Sequence, residues 1–478
     1  MYPEKLEMLI AGQWCQGSEG KTEDLINPAT EEVLGQVPHA SSADLDRAIN
    51  ASLDGFKVWS KFSALERQVI LEKAARLMEE RIDTIARTMT MEMGKPLTEA
   101  RIEMDIVIST LRWYAEEGKR AYGRIVPSRF TGVRQMVVQE PVGPCCAFVA
   151  WNFPGNNAIR KMAGALGAGC SLVIKPSEET PGTAIAMARC FQDAGLPPGV
   201  LNVVFGVPDE VSRHVLGSWI PRKLSFTGSV PVGIHLQKLA AETLKRCTME
   251  LGGHSPFIVY DDANLEQAIE QAVAFKYRNA GQVCISPTRF FVQQDSYNKF
   301  VDGFKQRTSA LKVGNGLDDG VDMGPLIADR RLDVMDSFVN DARSAGAKID
   351  IGGQRLTNQG YFYAPTVMTD VPDTAKIMID EPFGPLAPIT PFRTHDEVME
   401  RANSLPFGLA SYVFTSDNDR AANIGSELET GMVGVNHVRV STPETPFGGV
   451  NESGYGSEGG IEGLEGFMRT KFVTEQTG

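Results

Sequence analysis

One cysteine of this chain lies in a setting suited to covalent chemistry. Cys284 is placed among glycine and small polar residues in the segment Arg278-Asn279-Ala280-Gly281-Gln282-Val283-Cys284-Ile285-Ser286-Pro287. Because the small residues let backbone close around a substrate, Cys284 is a candidate nucleophile. A free thiol is only slightly ionised at neutral pH, so this interpretation requires a neighbour or a helix N-terminus that favours the thiolate. The alternative is an ordinary buried cysteine that packs as a small apolar residue.

Two further segments could supply the other groups of such a site. Met249-Glu250-Leu251-Gly252-Gly253 places a carboxylate at the end of a predicted strand, beside glycines that allow close approach. A partly desolvated Glu250 would have a raised pKa and could act as a general base. In Trp151-Asn152-Phe153-Pro154 a strand ends and a helix begins, so the Asn152 amide could face the same cleft and donate to an oxyanion. Taken alone, each residue could equally be structural.

Candidate nucleotide-binding residues also follow a predicted strand. Lys175, Ser177 and Glu178 come at the end of the strand Ser171–Lys175. The carboxyl edge of a parallel sheet is where such sheets bind ligands. Glu178 could therefore accept hydrogen bonds from a ribose diol, although it could also cap a helix.

A second candidate follows a later strand of the same series. Gly228 and Ser229 form a turn of small residues that opens a helix, where free N–H groups could bind a pyrophosphate. The sequence also contains a GxGxxG match at 454–459, but no buried strand precedes it. We therefore interpret that match as a loop.

The hydrophobic pattern indicates which elements position these residues. From Ser42 to about Gly123 it is helical, and Ser63-Ala64-Leu65-Glu66 fits a capping box ahead of an amphipathic run. From Val142 onwards β-rich and helical runs alternate, which is typical of βαβ units and a parallel sheet. The predicted runs are, in order, 147–150, 158–166, 171–175, 183–194, 200–205, 209–216, 223–226 and 232–241. A second series from Ser255 to about Asn436 predicts another sheet, so the fold class is α/β with two parallel-type sheets.

The composition argues against several classes of partner. The chain has 478 residues, 22% of them charged, and a formal net charge of -13, so we expect neither nucleic acid nor a membrane as partner. No apolar run approaches the length of a membrane helix, and the N-terminus lacks a signal-peptide core. The seven cysteines show no zinc-type spacing, so no metal is predicted and the thiols are expected to be reduced. These features predict a cytoplasmic protein.

Six ordered motifs together carry a resemblance that no single motif carries. In order and spacing they resemble the motifs of the aldehyde dehydrogenase superfamily over nearly the whole chain. The motifs are Trp151–Pro154, Lys175–Glu178, Phe226–Ser229, Glu250–Gly253, Gly281–Cys284, and Glu381 with Phe383-Gly384-Pro385.

The resemblance implies a domain organisation and an assembly. It predicts a Rossmann-like NAD-binding domain from 1–122 and 144–250, and a catalytic domain from 251–435. A small β oligomerisation flap would come from 123–143 and 436–478. A homodimer or a homotetramer is expected.

The resemblance also implies the chemistry. Cys284 would attack the aldehyde carbon, while the Asn152 side chain and the Cys284 N–H hold the oxyanion of the thiohemiacetal. Collapse to a thioester needs the nicotinamide of NAD(P)+ as hydride acceptor, and Glu250 would then activate water for hydrolysis. A carboxylate at Glu178 repels a 2'-phosphate, so NAD+ is preferred and NADP+ is possible. The implied cofactor-binding residues are Trp151, Lys175, Ser177, Glu178, Gly228, Ser229, Glu381 and Phe383.

Two arginines indicate the substrate class. Arg160 lies about two turns into the helix that Asn152 precedes, and Arg278 precedes the nucleophile by six residues. In an acidic chain, two guanidinium groups at a thiol site would form a carboxylate clamp. Both positions, with Ser441, resemble those that bind the distal carboxylate in the succinate-semialdehyde dehydrogenase branch. The alternative is that both arginines form internal salt bridges.

The leading prediction is NAD+-dependent oxidation of a short carboxylated aldehyde, with succinate semialdehyde first and Phe153 and Phe447 lining the substrate entrance. Glutarate semialdehyde, lactaldehyde and an aryl-bearing keto-semialdehyde are alternatives that differ in the pocket shape they need. A cysteine hydrolase without nicotinamide is an alternative of another class.

Ser286 stands where many relatives carry a second cysteine, so no disulfide switch is expected. His254 is expected to be exposed at a strand edge.

Overall fold

The alternation of strands and helices predicted from the sequence is present in the computed structural model, which describes Tyr2, Pro3 and residues 5–356 and 359–476. Proline within the first turn opens several helices, where its missing N–H leaves no internal bond unmade. In the described ranges, two 3-10 turns cover Gly118–Arg120 and Arg278–Gly281.

The α-helices are α1 Ser42–Trp59, α2 Ala64–Glu80, α3 Ile82–Met93, α4 Leu97–Glu117, α5 Pro154–Ala168, α6 Pro181–Ala194, α7 Pro208–Gly217, α8 Val230–Ala241, α9 Leu265–Tyr277, α10 Tyr297–Ser309, α11 Asp329–Ser344, α12 Lys376–Ile379, α13 His395–Asn403, α14 Asn418–Glu427 and α15 Gly460–Glu465.

The strands are short, and those of the two large sheets are mostly buried. They are β1 Met8–Ile10, β2 Gln13–Cys15, β3 Thr22–Ile26, β4 Val33–Pro38, β5 Arg124–Val126, β6 Val133–Pro141, β7 Cys145–Phe148, β8 Leu172–Lys175, β9 Leu201–Val203, β10 Lys223–Thr227, β11 Arg246–Glu250, β12 Ser255–Val259, β13 Pro287–Gln293, β14 Lys348–Ile351, β15 Thr366–Thr369, β16 Leu386–Phe392, β17 Phe407–Gly408, β18 Ala410–Phe414, β19 Met432–Val435, β20 Val450–Asn451, β21 Gly454–Tyr455 and β22 Met468–Gln476.

The first large sheet has the strand order β2-β1-β9-β8-β7-β10-β11-β21. Its five central strands, from β9 to β11, are parallel, and β1, β2 and β21 are antiparallel additions. After β7 the chain builds β8 and β9 on one side, then returns to place β10 and β11 on the other. The order therefore reverses between β7 and β10, which is where a doubly wound sheet opens a ligand crevice at its carboxyl edge.

The second large sheet has the order β14-β15-β16-β13-β12-β18-β19 and is parallel except for the β14–β15 pair. Each large sheet has its own apolar core. The predicted fold class, two α/β units with parallel-type sheets, is confirmed.

A third, antiparallel sheet consists of β5, β6 and β22, with β22 paired along the whole of β6. Within the predicted flap segment 436–478, β22 joins this sheet, whereas β21 pairs with β11 in the first large sheet. The domain boundaries stay a prediction. None of the helices in the described ranges is long and apolar enough to cross a membrane.

Candidate active site

A cleft of about 890 Å³ is lined by residues that follow strands of both large sheets. Seven of the residues predicted from the sequence line it: Cys284, Glu250, Arg160, Arg278, Ser441, Phe153 and Phe447. The predicted cofactor residues lie elsewhere, at the carboxyl ends of β7, β8 and β10 and on the loop that precedes β16.

The turn before Cys284 is strained and closely packed. Asn279 and Ala280 both have a φ of 52°, in the left-handed region that side chains disfavour. Gly281 has a φ of 71°, and a Cβ built there would lie 2.1 Å from the carbonyl oxygen of Gly384. Only glycine therefore lets the nucleophile turn and the loop that carries Gly384 approach this closely.

Cys284 is partly exposed and lines the cleft, although it also packs against the apolar core of the second large sheet. Burial, followed by the charges of Glu381 and Glu250, raises the pKa of the Cys284 thiol to about 12, against the opposing effect of Arg160 and Arg278. The expectation of a neighbour that favours the thiolate is therefore not met by the protein groups alone. Two arginines do act in that direction, but desolvation outweighs them.

Asn152 is buried beside the nucleophile turn with its side chain fixed at both ends. Its Nδ2 donates to the carbonyl oxygen of Gln282 over 3.1 Å, and its Oδ1 accepts from Asn157 Nδ2 over 3.0 Å. Its backbone carbonyl oxygen accepts from Lys95 Nζ and Asn279 Nδ2. An amide nitrogen carries two hydrogens, so this bond leaves one N–H of Asn152 unused, although Asn152 is not among the residues that line the cleft.

Glu250 is buried at the end of β11, and within the described chain neither of its carboxylate oxygens has a hydrogen-bond partner. Burial raises its pKa well above the ordinary range, and the nearby Glu458 raises it further, whereas Lys161 and Arg160 lower it. Such surroundings favour the protonated form of the carboxyl group.

A buried ion pair next to Glu250 escaped the sequence analysis. Lys161 Nζ, on α5, bonds the carboxylate of Glu458 and also donates to Thr227 Oγ1 over 2.6 Å. Ser225 Oγ donates to the same Glu458 oxygen over 3.1 Å. The pairing of β21 with β11 explains how Glu458, three residues after β21, comes close to Glu250. The only signal in the sequence was the adjacency of Lys161 to Arg160.

The candidate nucleotide residues lie at the carboxyl edge of the first sheet. Lys175, at the end of β8, forms an ion pair with Glu178, and Ser177 Oγ accepts from the backbone of the same loop. Gly228 and Ser229 directly precede α8, and the Ser229 side chain does not cap the helix. The first N–H groups of α8 are thus free of a side-chain cap and can bind an anionic group.

A second carboxylate lies on the loop before β16. Glu381 Oε1 accepts from the backbone N–H of Gly253 over 3.2 Å, and burial raises its pKa to about 8. On the same loop, Phe383 meets the ring of Trp151 edge to face, with centroids 5.6 Å apart. Arg331 donates to the Phe383 carbonyl oxygen over 3.0 Å, and Phe383 has a φ of 46°. Glu178 and Glu381 could each bind a ribose diol, and the uncapped N–H groups of α8 could bind a pyrophosphate. These groups together fit a dinucleotide.

Arg160 is buried and is held by neutral groups. Its Nη2 donates to Ser441 Oγ over 2.9 Å, its Nε donates to Asn156 Oδ1 over 3.4 Å, and its guanidinium lies 4.4 Å from the centre of the Phe447 ring. Its Nη1 has no hydrogen-bond partner among the described residues. An unpaired buried donor beside a cleft is suited to an anionic group of a ligand.

Arg278 also lines the cleft and also packs against aromatic rings. Its guanidinium lies 4.7 Å from the ring centre of Phe275 and 5.4 Å from that of Phe153. Its buried Nε also lacks a partner in the part of the chain that the structure describes. The structure therefore brings together, in one cleft, a thiol, an unpaired carboxyl group and two guanidinium groups with donors to spare.

Comparison with known proteins extends over the whole chain. The sequence profile of the aldehyde dehydrogenase family matches residues 14–473. A 4-(hydroxymethyl)benzenesulfonate dehydrogenase of Comamonas testosteroni is 44% identical, over 98% of this chain and 97% of that protein. The NADP+-dependent succinate-semialdehyde dehydrogenase of Escherichia coli K12 is 40% identical, over 98% and 97%. The crystal structure of a succinate-semialdehyde dehydrogenase from Burkholderia pseudomallei superposes with a TM-score of 0.98, at 41% identity over 99% of this chain and 98% of that one.

Proposed function

Because the chain belongs to the aldehyde dehydrogenase family, we propose that it oxidises a short aldehyde with a distal carboxylate, and that succinate semialdehyde is the first candidate. One observation carries the choice of substrate. Arg160 Nη1 and Arg278 Nε are unpaired donors that line the same cleft as Cys284. Internal salt bridges, the alternative, find no support at Arg160, which bonds a serine hydroxyl and an asparagine amide. The hydrolase alternative is not supported, since the family members are oxidoreductases.

In this proposal Cys284 attacks the aldehyde carbon after its thiol loses a proton. The free N–H of the Asn152 side chain and the backbone N–H of Cys284 stabilise the oxyanion of the adduct. NAD(P)+, when bound, supplies the hydride acceptor that turns the adduct into a thioester. Arg160, Arg278 and Ser441 orient the substrate through its carboxylate, so that its aldehyde carbon faces the sulfur.

Glu250 acts as the base that activates water for thioester hydrolysis. Its unpartnered oxygens can accept a hydrogen bond from a water molecule, and its raised pKa makes the ionised carboxylate a stronger base than an exposed glutamate. Lys161 stabilises the carboxylate form of Glu250, whereas Glu458, which is ion-paired with Lys161, opposes it.

We further propose that NAD+ is preferred to NADP+. Glu178 would bring a carboxylate to the adenosine ribose and repel a 2'-phosphate, whereas its ion-pair partner Lys175 offsets part of that charge and could allow some use of NADP+. The ratio of kcat/KM for the two cofactors measures this preference, and a ratio in favour of NADP+ would contradict it. Trp151, Ser177, Gly228, Ser229, Glu381 and Phe383 are the remaining proposed cofactor contacts.

Other anionic aldehydes remain in competition with succinate semialdehyde. Glutarate semialdehyde and an aryl-bearing keto-semialdehyde use the same chemistry and differ in the space they require; lactaldehyde is a neutral alternative that would not use the anion clamp. The name of one relative contains a sulfonate, an anion that a guanidinium also binds.

We also propose that the protein is a cytoplasmic homodimer or homotetramer. A reducing compartment would keep the Cys284 thiol free.

The test is a steady-state assay of NADH formation with carboxylated, sulfonated and neutral aldehydes of matched length. Hydrogen bonds to charged groups contribute roughly 1.5–3 kcal/mol, so Arg160→Ala and Arg278→Ala should each raise KM about 10- to 150-fold for the anionic aldehydes. The KM for the neutral aldehydes should change little. Equal KM changes for charged and neutral aldehydes would overturn the anion clamp.

A further inference from the structure

A carboxylate lies in the cleft where an anion is expected to bind. Glu99, in the first turn of α4, lines this cleft together with Arg278. Its Oε2 accepts the backbone N–H of Asn279 over 2.9 Å, at the start of the strained turn that leads to Cys284. Glu99 is therefore part of the wall that faces the substrate, and it is fixed to the nucleophile turn.

Of the two cations near Glu99, one has hydrogen-bond partners and the other has an unpaired donor. Lys95 Nζ is already engaged by Glu103 and by the carbonyl oxygen of Asn152. Arg278 Nε, by contrast, has no partner among the described residues. Glu99 and Arg278 line the same cleft and interact through their charges, so Arg278 can stabilise either the Glu99 carboxylate or an incoming anion.

The protonation of Glu99 is finely balanced. Burial raises its pKa to about 7; Lys95, Arg278 and the Asn279 N–H lower it, while Glu103 raises it. An anion that binds to Arg278 would reduce the stabilisation that this arginine gives to the Glu99 carboxylate. The bound anion therefore favours the protonated form of Glu99.

We propose that Glu99 is a specificity-determining residue that competes with the substrate's anionic group for Arg278 and takes up a solvent proton when that group binds. This inference rests on the proposed anion clamp. The carboxylate becomes a carboxylic acid, whose Oε2 continues to accept from Asn279 while the other oxygen carries the proton. Neutral aldehydes bind without this exchange, so only anionic substrates acquire a pH-dependent KM.

The experiment is calorimetric titration of the whole protein with butyrate, which stays ionised across the range, between pH 6.5 and 8.5. With a pKa of about 7 for Glu99, Kd should rise up to about 25-fold over this range. Titrations at pH 8 in two buffers with different ionisation enthalpies should show uptake of close to one proton per bound butyrate. A flat Kd and no proton uptake in the unmodified protein would overturn the inference.

Glu99→Gln separates charge from geometry, because the amide oxygen can still accept the Asn279 N–H. It should reduce the pH dependence of Kd to less than about twofold and abolish proton uptake. Glu270→Gln, a charge-matched change at an exposed residue of the same cleft, should leave both unchanged. An undiminished pH dependence in Glu99→Gln would overturn only the role of Glu99. Absence of butyrate binding at every pH would overturn the anion clamp itself, and this inference with it.

Discussion

At the scale of single residues, the reactive thiol holds its proton tightly. Burial and the neighbouring carboxylates raise the pKa of Cys284 to about 12. Because only the thiolate alkylates readily, the rate of Cys284 modification by iodoacetamide should rise roughly tenfold per pH unit between pH 7 and 9. Mass spectrometry of the Cys284 peptide measures this rate, with Cys284→Ala as the control for other cysteines. A rate that levels off below pH 8 would contradict the raised pKa.

Glu250 is proposed to act after hydride loss. In Glu250→Gln the first turnover should still release about one NADH per active site, whereas steady-state turnover should fall about 10²- to 10⁴-fold, because general base catalysis is lost. Stopped-flow absorbance separates the two phases. Loss of the initial burst together with turnover would place Glu250 in an earlier step.

The residues predicted from motifs lie where segments far apart in the chain meet. The sequence did not predict which other side chains surround them. Cys284, Glu250 and both arginines line one cleft. Glu458 was missed because its segment was interpreted as a loop, and only the pairing of β21 with β11 reveals its contact with Lys161. His254 was expected to be exposed, and this was wrong. It is 2% exposed and bonds Thr288 Oγ1 and the Ile377 carbonyl oxygen, contacts that local sequence does not encode.

At the scale of elements, local signals predicted the framework well. The capping box at Ser63 and Glu66 is present, and β7 to β10 with their helices match the predicted runs closely. These signals are local, since they depend on capping and on periodicity. The additions of β1, β2 and β21 to the first sheet were not predicted, because antiparallel pairing between segments far apart in the chain leaves no periodic trace.

The start of α6 depends on one buried carboxylate. Glu92 accepts from the N–H groups of Gly182 and Thr183 and from the hydroxyls of Thr183 and Tyr2. Glu92→Ala would leave several buried donors unpaired, so we expect a loss of about 2–4 kcal/mol in the free energy of unfolding.

Since α6 follows the loop that carries Glu178, the KM for NAD+ should rise as well in Glu92→Ala. Denaturant unfolding and NAD+ kinetics measure the two effects. The control Tyr2→Phe removes a single bond and should cost about 1 kcal/mol. Equal stability losses in the two variants would contradict a capping role for Glu92.

At the scale of the whole molecule, the sheet of β5, β6 and β22 carries apolar side chains that face outward. Ile125 is 76% exposed and Phe472 is 57% exposed. Exposed apolar residues on a sheet surface are typical of subunit contacts. Ile125→Glu and Phe472→Glu should therefore lower the molar mass measured by light scattering, whereas Val33→Glu, at an exposed position on β4, should not. An unchanged molar mass in both flap variants would contradict an oligomer built through this sheet.

The pairing of β21 with β11 has a consequence for biosynthesis. Residue 250 can bond its strand partner, and approach the carboxylate at 458, only once nearly the entire polypeptide has left the ribosome. A nascent chain, or a gene fragment that stops after β19, therefore carries Cys284 and Glu250 without β21, which pairs with β11, and without Glu458. The surroundings of the proposed general base are therefore completed only near the end of translation.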